Sequence, residues 1–100
     1  MPTLEEVSDY SVVDWSLVPE HCRDGLRRYL EHGKVPGHFL TALLRNDLRE
    51  TCARADHVNL QRLGDYVKFL YNFAPRDSWG SPENFDAWVA RGGLGQAEAA

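Results

Sequence analysis

Helix-stopping residues divide residues 19–93 into four stretches of helical length, and this punctuation constrains the fold more than any other feature. Pro19 is tolerated in a first turn and Gly33 ends the first stretch. Pro36 opens the second, and Asp56 is a good N-cap for the third, which Pro75 stops. Ser81-Pro82-Glu83 then supplies an N-cap, a proline and an acidic first turn, and Gly92-Gly93 closes the last stretch. The spacing predicts helices over about 19–32, 36–52, 56–73 and 81–91. Each carries an apolar stripe on a wheel of about 100° per residue.

In the first helix Cys22, Leu26, Tyr29 and Leu30 share a narrow stripe, which places this helix on the outside of a bundle. The second carries Phe39, Leu40, Leu43, Leu44 and Leu48, and the fourth Phe85, Trp88 and Val89. The third has apolar residues over more than half its wheel (Leu60, Leu63, Tyr66, Val67, Phe69, Leu70 and Phe73), which makes it the central helix. The fold class expected is all-α: a small four-helix bundle over residues 19–93, an extended acidic N-terminal arm over 1–18, and a frayed tail over 94–100.

Charge sets the arm apart. The 100-residue chain has a net charge of −4, from 15 acidic and 11 basic residues. Glu5, Glu6, Asp9 and Asp14 fall within residues 1–18, where there is no Lys or Arg, so the rest of the chain is balanced. The arm also holds Tyr10-Ser11-Val12-Val13-Asp14-Trp15, a β-favouring run without a partner strand. It packs across the helices, pairs with another copy, or stays mobile. Asp9, Tyr10, Asp14 and Trp15 are its candidate partner contacts, and Trp79, between the third and fourth helices, is either a lid on the core or a further anchor.

Two polar residues fall on apolar arcs. Asp47 projects between Leu40 and Leu43, with Thr51 close by, and Asn59 between Tyr66 and Leu70. Buried polar groups require partners. In a hairpin of the second and third helices the two side chains would meet, either as a buried hydrogen-bonded pair or, with Asn46, as a polar pocket or subunit interface. Arg23 and Arg27 on the first helix and Arg45 and Arg49 on the second are candidate anion contacts, read against a plain solvated face. Balanced charge over the helical region argues against direct nucleic-acid binding.

No metal or other cofactor is expected, because His21, His32, His38 and His57 lack ligand spacing. Nucleophile elbows, phosphate loops and paired-carboxylate patterns are missing too, so an enzyme is not expected. Cys22 and Cys52 read as buried thiols of a reducing cytoplasm. No apolar run approaches the roughly 18 residues of a membrane span, and the first residues lack a signal-peptide pattern.

From Pro19 to Gly93 the chain resembles small uncharacterised proteins encoded in tailed bacteriophages and prophages. The resemblance rests on Pro19-Glu20-His21, Tyr29 with Glu31-His32-Gly33, Pro36-Gly37, Phe39-Leu40-Thr41-Ala42 and Asn46-Asp47-Leu48. It continues through Arg54-Ala55-Asp56 with Asn59, Asp65-Tyr66, Phe69, Tyr71-Asn72 and Trp79-Gly80-Ser81-Pro82-Glu83. It covers about three quarters of the chain and implies a setting inside a bacterial host cell, without residue roles. The expected function is a non-enzymatic binding protein that occupies a host protein or protein complex, as a counter-defence inhibitor of the anti-CRISPR kind. The alternatives are an oligomeric sponge for a small nucleotide-type signal and a structural or regulatory phage protein with homotypic contacts.

Overall fold

The structure, a computed structural model, describes residues 14–95. Every regular element among them is helical: a 3-10 turn at Trp15–Leu17, α1 Glu20–His32, α2 His38–Leu44, α3 Leu48–Arg54, α4 His57–Gln61, α5 Leu63–Phe73, a 3-10 turn at Arg76–Ser78, and α6 Pro82–Arg91. No helix among these residues is long and apolar enough to cross a membrane.

Most boundaries follow local chemistry. Gly33 closes α1 in the left-handed conformation, with its N–H bonded to the carbonyls of the last turn. Asp56 caps α4 by accepting from the N–H of Asn59 at 2.7 Å, Ser81 caps α6 by accepting from Asn84 at 3.0 Å, and Gly92 ends α6 at φ 82°.

The expected second and third helices are each divided. α2 stops at Leu44, Asn46 adopts φ 61°, and Asp47 starts a new helix by accepting the N–H of Glu50 at 3.2 Å. Asn tolerates the left-handed region and Asp is a strong N-cap, so the break is encoded locally. A wheel drawn through 36–52 assumes one continuous helix, and the break resets its phase. Asp47 is therefore an exposed cap, not a residue of the apolar arc, and Leu48, expected inside, is exposed. The second break, at Arg62 (ψ 12°), separates α4 from α5 while the Tyr66 N–H still bonds to the Arg62 carbonyl.

The core gathers Val18, Leu26, Tyr29, Leu30, Phe39, Leu40, Leu43, Leu44, Tyr66, Phe69, Leu70, Ala74, Phe85 and Trp88. Leu26, Tyr29 and Leu30 are completely buried, so α1 is central rather than peripheral, and a narrow stripe suffices because bulky neighbours close over it. Tyr29 stacks on Phe85 with ring centroids 5.2 Å apart, donates its hydroxyl to the Ser78 carbonyl at 2.7 Å, and offers its own carbonyl to Trp88 Nε1 at 3.0 Å. Cys22 is half-buried, whereas Cys52 is exposed on α3 and is not the buried thiol expected.

Asp56 also links α4 to α1, with its carboxylate 3.1 Å from His21 Nε2. The Asn59 N–H, and further the His21 ring and the Val58 N–H, hold the Asp56 carboxyl below its usual range against a smaller opposing effect of burial. The folded chain thus takes up this proton less readily than the unfolded chain. The stability Asp56 contributes is complete above the ordinary carboxylate range and is lost as pH falls through and below it. Asp56→Asn, which keeps a capping side chain but removes the charge, is expected to flatten the acid limb of a plot of Tm against pH, measured by circular dichroism. An unchanged acid limb contradicts this.

Candidate functional site

The clearest surface feature is an apolar face shared by α3 and α5. Leu48 is 72% exposed, Val67 45% and Tyr71 67%. On α5, Leu63, Val67 and Tyr71 follow one another at i,i+4, so they form one ridge along the helix. This ridge lies at the edge of the face that buries Tyr66, Phe69 and Leu70, which explains why the apolar residues cover more of the wheel than burial requires. Between the ridge and α3 runs a shallow groove of about 90 Å³, lined by Leu43, Asn46, Leu48, Thr51, Leu63, Val67 and Trp79.

Hydrogen bonds tie both walls of the groove to the rest of the fold. Trp79 is half-buried against the core. The neighbouring Gly80 N–H donates to the Leu44 carbonyl at 2.9 Å, and Asn84 Nδ2 donates to the Trp79 carbonyl at 3.0 Å. Ser78, fully buried, donates its hydroxyl to the Pro75 carbonyl at 2.6 Å. Of the two roles weighed from sequence, Trp79 takes that of a cover on the core, and it also lines the groove. At the other wall, Thr51 Oγ1 donates to the Asp47 carbonyl at 2.5 Å, and the Asp47 N–H bonds to the Ala42 carbonyl at 3.0 Å. Asn46 lines the groove because its left-handed backbone turns the chain from α2 into α3.

The other expected site residues lie elsewhere. Asn59 is buried, as expected, but its partner is not Asp47. It accepts the Tyr66 hydroxyl at 2.6 Å and meets Cys22 Sγ at 3.7–3.8 Å, tying α4 to α5 and α1. No polar pocket of Asn46, Asp47 and Asn59 forms, because the break before α3 turns Asp47 outward. Burial, and next the contact with Cys22, pushes the Tyr66 hydroxyl far above its ordinary value, and burial does the same at Tyr29.

Of the arm contacts, Asp9 and Tyr10 lie outside the described residues. Asp14 caps the first 3-10 turn by accepting from the Ser16 N–H at 3.1 Å. Trp15 is fixed on the helical body, 4.8 Å from the Phe69 ring and under the Arg27 guanidinium at 4.8 Å. Arg62 fastens the same segment by donating to the Ser16 carbonyl at 2.9 Å. Residues 14–18 therefore belong to the folded body instead of extending from it. They lie on the opposite edge of α5 from Val67, since residues two apart point about 160° from each other.

The four candidate arginines do not converge. Arg23 Nε donates to the Val18 carbonyl at 2.8 Å, and Arg27 lies 3.8 Å from Glu31. Arg45 pairs with Asp86 at 3.0 Å and covers the Phe85 ring, and Arg49 is exposed on α3. The expected Arg45–Arg49 row is interrupted by the α2–α3 turn.

Sequence reasoning missed Leu48, Val67 and Tyr71 as surface residues. One signal was available for Leu48: Asp47 followed three residues later by Glu50 is a helix-start pattern. Among the described residues no group of three or more His, Cys, Asp or Glu side chains could hold a metal. No protein-family model, curated protein or solved structure matches the chain.

Proposed function

We propose that this chain is a non-enzymatic binding protein of phage or prophage type that occupies a protein of the bacterial host through the α3–α5 face. The observation that carries this reading is that exposed Leu48 and Val67 line one groove, with exposed Tyr71 one turn beyond Val67 on the same face of α5. Exposed apolar ridges next to a preformed groove are the usual footprint of protein recognition. An i,i+4 ridge in particular suits an amphipathic helix laid alongside it, with one apolar side chain in the groove. The resemblance to phage-encoded proteins supports a bacterial partner. The small size and the lack of a catalytic motif support occupation of that partner over turnover, and an immune effector such as a CRISPR complex is the counter-defence target this reading names.

The test is capture of a host protein from bacterial lysate, followed by titration of the purified partner against wild type and a Val67→Glu/Tyr71→Glu variant. Both side chains lie outside the core, so the variant is expected to keep its melting temperature within a few degrees. Its affinity should fall by roughly 100-fold or more, as loss of two central apolar contacts implies. A chain lacking residues 1–13 reports separately on Asp9 and Tyr10. Binding lost on that deletion but kept by the double variant would overturn the assignment to this face. A dimer that the double variant abolishes would assign the face to a second copy of the chain.

A further inference from the structure

A second concavity lies at the far end of α1, where the chain turns into α2. It is lined by Gly25, Arg28, His32, Lys34, Val35 and Pro36, has a volume of about 640 Å³, and shares no residue with the α3–α5 groove. It is an open surface concavity, with Arg28, His32, Lys34 and Val35 all exposed along its rim. Arg28 and His32 stand one turn apart on α1, with Gly25 a turn before Arg28, and Lys34, Val35 and Pro36 form the opposite wall.

The wall is held in shape. The Gly33 N–H donates to the Tyr29 carbonyl at 2.9 Å and the Lys34 N–H to the Arg28 carbonyl at 3.4 Å, which caps the helix end. The Pro36 carbonyl accepts from Thr41 Oγ1 at 3.2 Å. Facing the concavity are three side chains suited to donating to an anion, of which Arg28 is paired with Asp24 and His32 lies beside Gly95, and an apolar surface formed by Val35 and Pro36. Val35 is 62% exposed in the turn between α1 and α2.

The facing acids are accounted for. Asp24 pairs with Arg28 at 3.3 Å, and Glu31 lies 3.8 Å from Arg27 and 3.7 Å from His32. Arg28 and Lys34 line the concavity and no acidic side chain does. The Asp24–Arg28 pair is exposed on both sides, so an incoming anion displaces it at little cost.

We infer that this cleft binds a small organic phosphate, its phosphoryl group held by Arg28, His32 and Lys34 and its planar or apolar body laid on Val35 and Pro36. The guanidinium fork and the ammonium are the donors that phosphate recognition uses, and no single surface cation would supply both. A concave site formed by one helix turn and a short loop fits a free small molecule better than a phosphorylated polymer.

Adenosine 5′-monophosphate, adenosine, inorganic phosphate and benzoate are the probes, read by amide chemical shifts and calorimetry on the full chain. The nucleotide is expected to shift Arg28, His32, Lys34 and Val35 saturably, and to bind at least roughly tenfold more tightly than the other three. Arg28→Ala/Lys34→Ala and, separately, Val35→Asp should each weaken it by a similar factor while leaving the melting temperature nearly unchanged, since all three side chains are exposed. Failure of the nucleotide to perturb these residues at millimolar concentration overturns the inference. So does equal binding of benzoate, which would make the site a general anion patch, or equal binding of inorganic phosphate, which would leave Val35 and Pro36 without a role.

Discussion

Trp88→Ala is expected to lower the melting temperature by roughly 15–30 °C, a loss of about 3–5 kcal/mol from a domain of this size. Trp88 is 1% exposed and stands where α6 meets α1, with its indole N–H donating to the Tyr29 carbonyl. Truncation leaves a cavity in the core cluster that also holds Tyr29 and Phe85, two rings already stacked on each other. The hydrogen bond is the smaller part of the effect, because the Tyr29 carbonyl also accepts the Gly33 N–H and keeps a partner. Trp88→Phe, which retains a ring, should therefore recover more than half of the loss. Trp79→Ala, at a half-buried position, should cost much less. Thermal denaturation followed by circular dichroism decides the ranking, and equal losses at Trp79 and Trp88 would refute this account of the core.

Gly93→Ala is expected to cost about 2–4 kcal/mol although it adds a single methyl group. Gly93 has φ 67°, where an L side chain is strained. A Cβ there would lie 2.7 Å from the backbone nitrogens of both Gly33 and His32. Gly33 mirrors the situation, since its Cβ would meet the Gly92 Cα at 2.9 Å. The C-terminal ends of α1 and α6 thus touch backbone to backbone through glycines, and neither can yield without separating the two helices. Gly64→Ala is the matching control: its Cβ would meet nothing within 4 Å, and alanine is the better helix former, so the melting temperature should hold or rise slightly. A loss at Gly64 as large as that at Gly93 would mean that general backbone effects, not the close approach, set the cost.

Both residues show where sequence patterns are informative and where they stop. Trp88 is assigned inward by periodicity alone, and Gly92-Gly93 reads as a helix stop. That Gly93 rests against Gly33 is a contact between residues sixty positions apart, which no local pattern carries. The same limit explains the candidate sites. A continuous wheel through 36–52 puts Asp47 and Leu48 on the wrong side, although Asn46-Asp47 and Glu50 encode the turn between α2 and α3 locally. Leu60 and Val67 belong to the expected apolar set of the third helix yet are exposed, because the wheel ranks residues by hydrophobicity, and burial of a helix flank depends on whether another element covers it. Arg28 and His32 carry no pattern that separates them from a solvated row until Lys34–Pro36 folds back beside them.

Sequence by itself determined the all-helical class, the caps at Gly33, Asp56, Ser81 and Gly92, and most of the buried set, because each depends on backbone preferences or on the period of one helix. Only the tertiary structure decided that Asn59 pairs with Tyr66 and Cys22, that Trp15 is fixed on Phe69, and that apolar α3 and α5 side chains border a groove. The physical reason is range. Capping and periodicity act within one or two turns, whereas a partner for a buried amide or a cover for an apolar flank is supplied by whichever distant segment the completed core brings alongside.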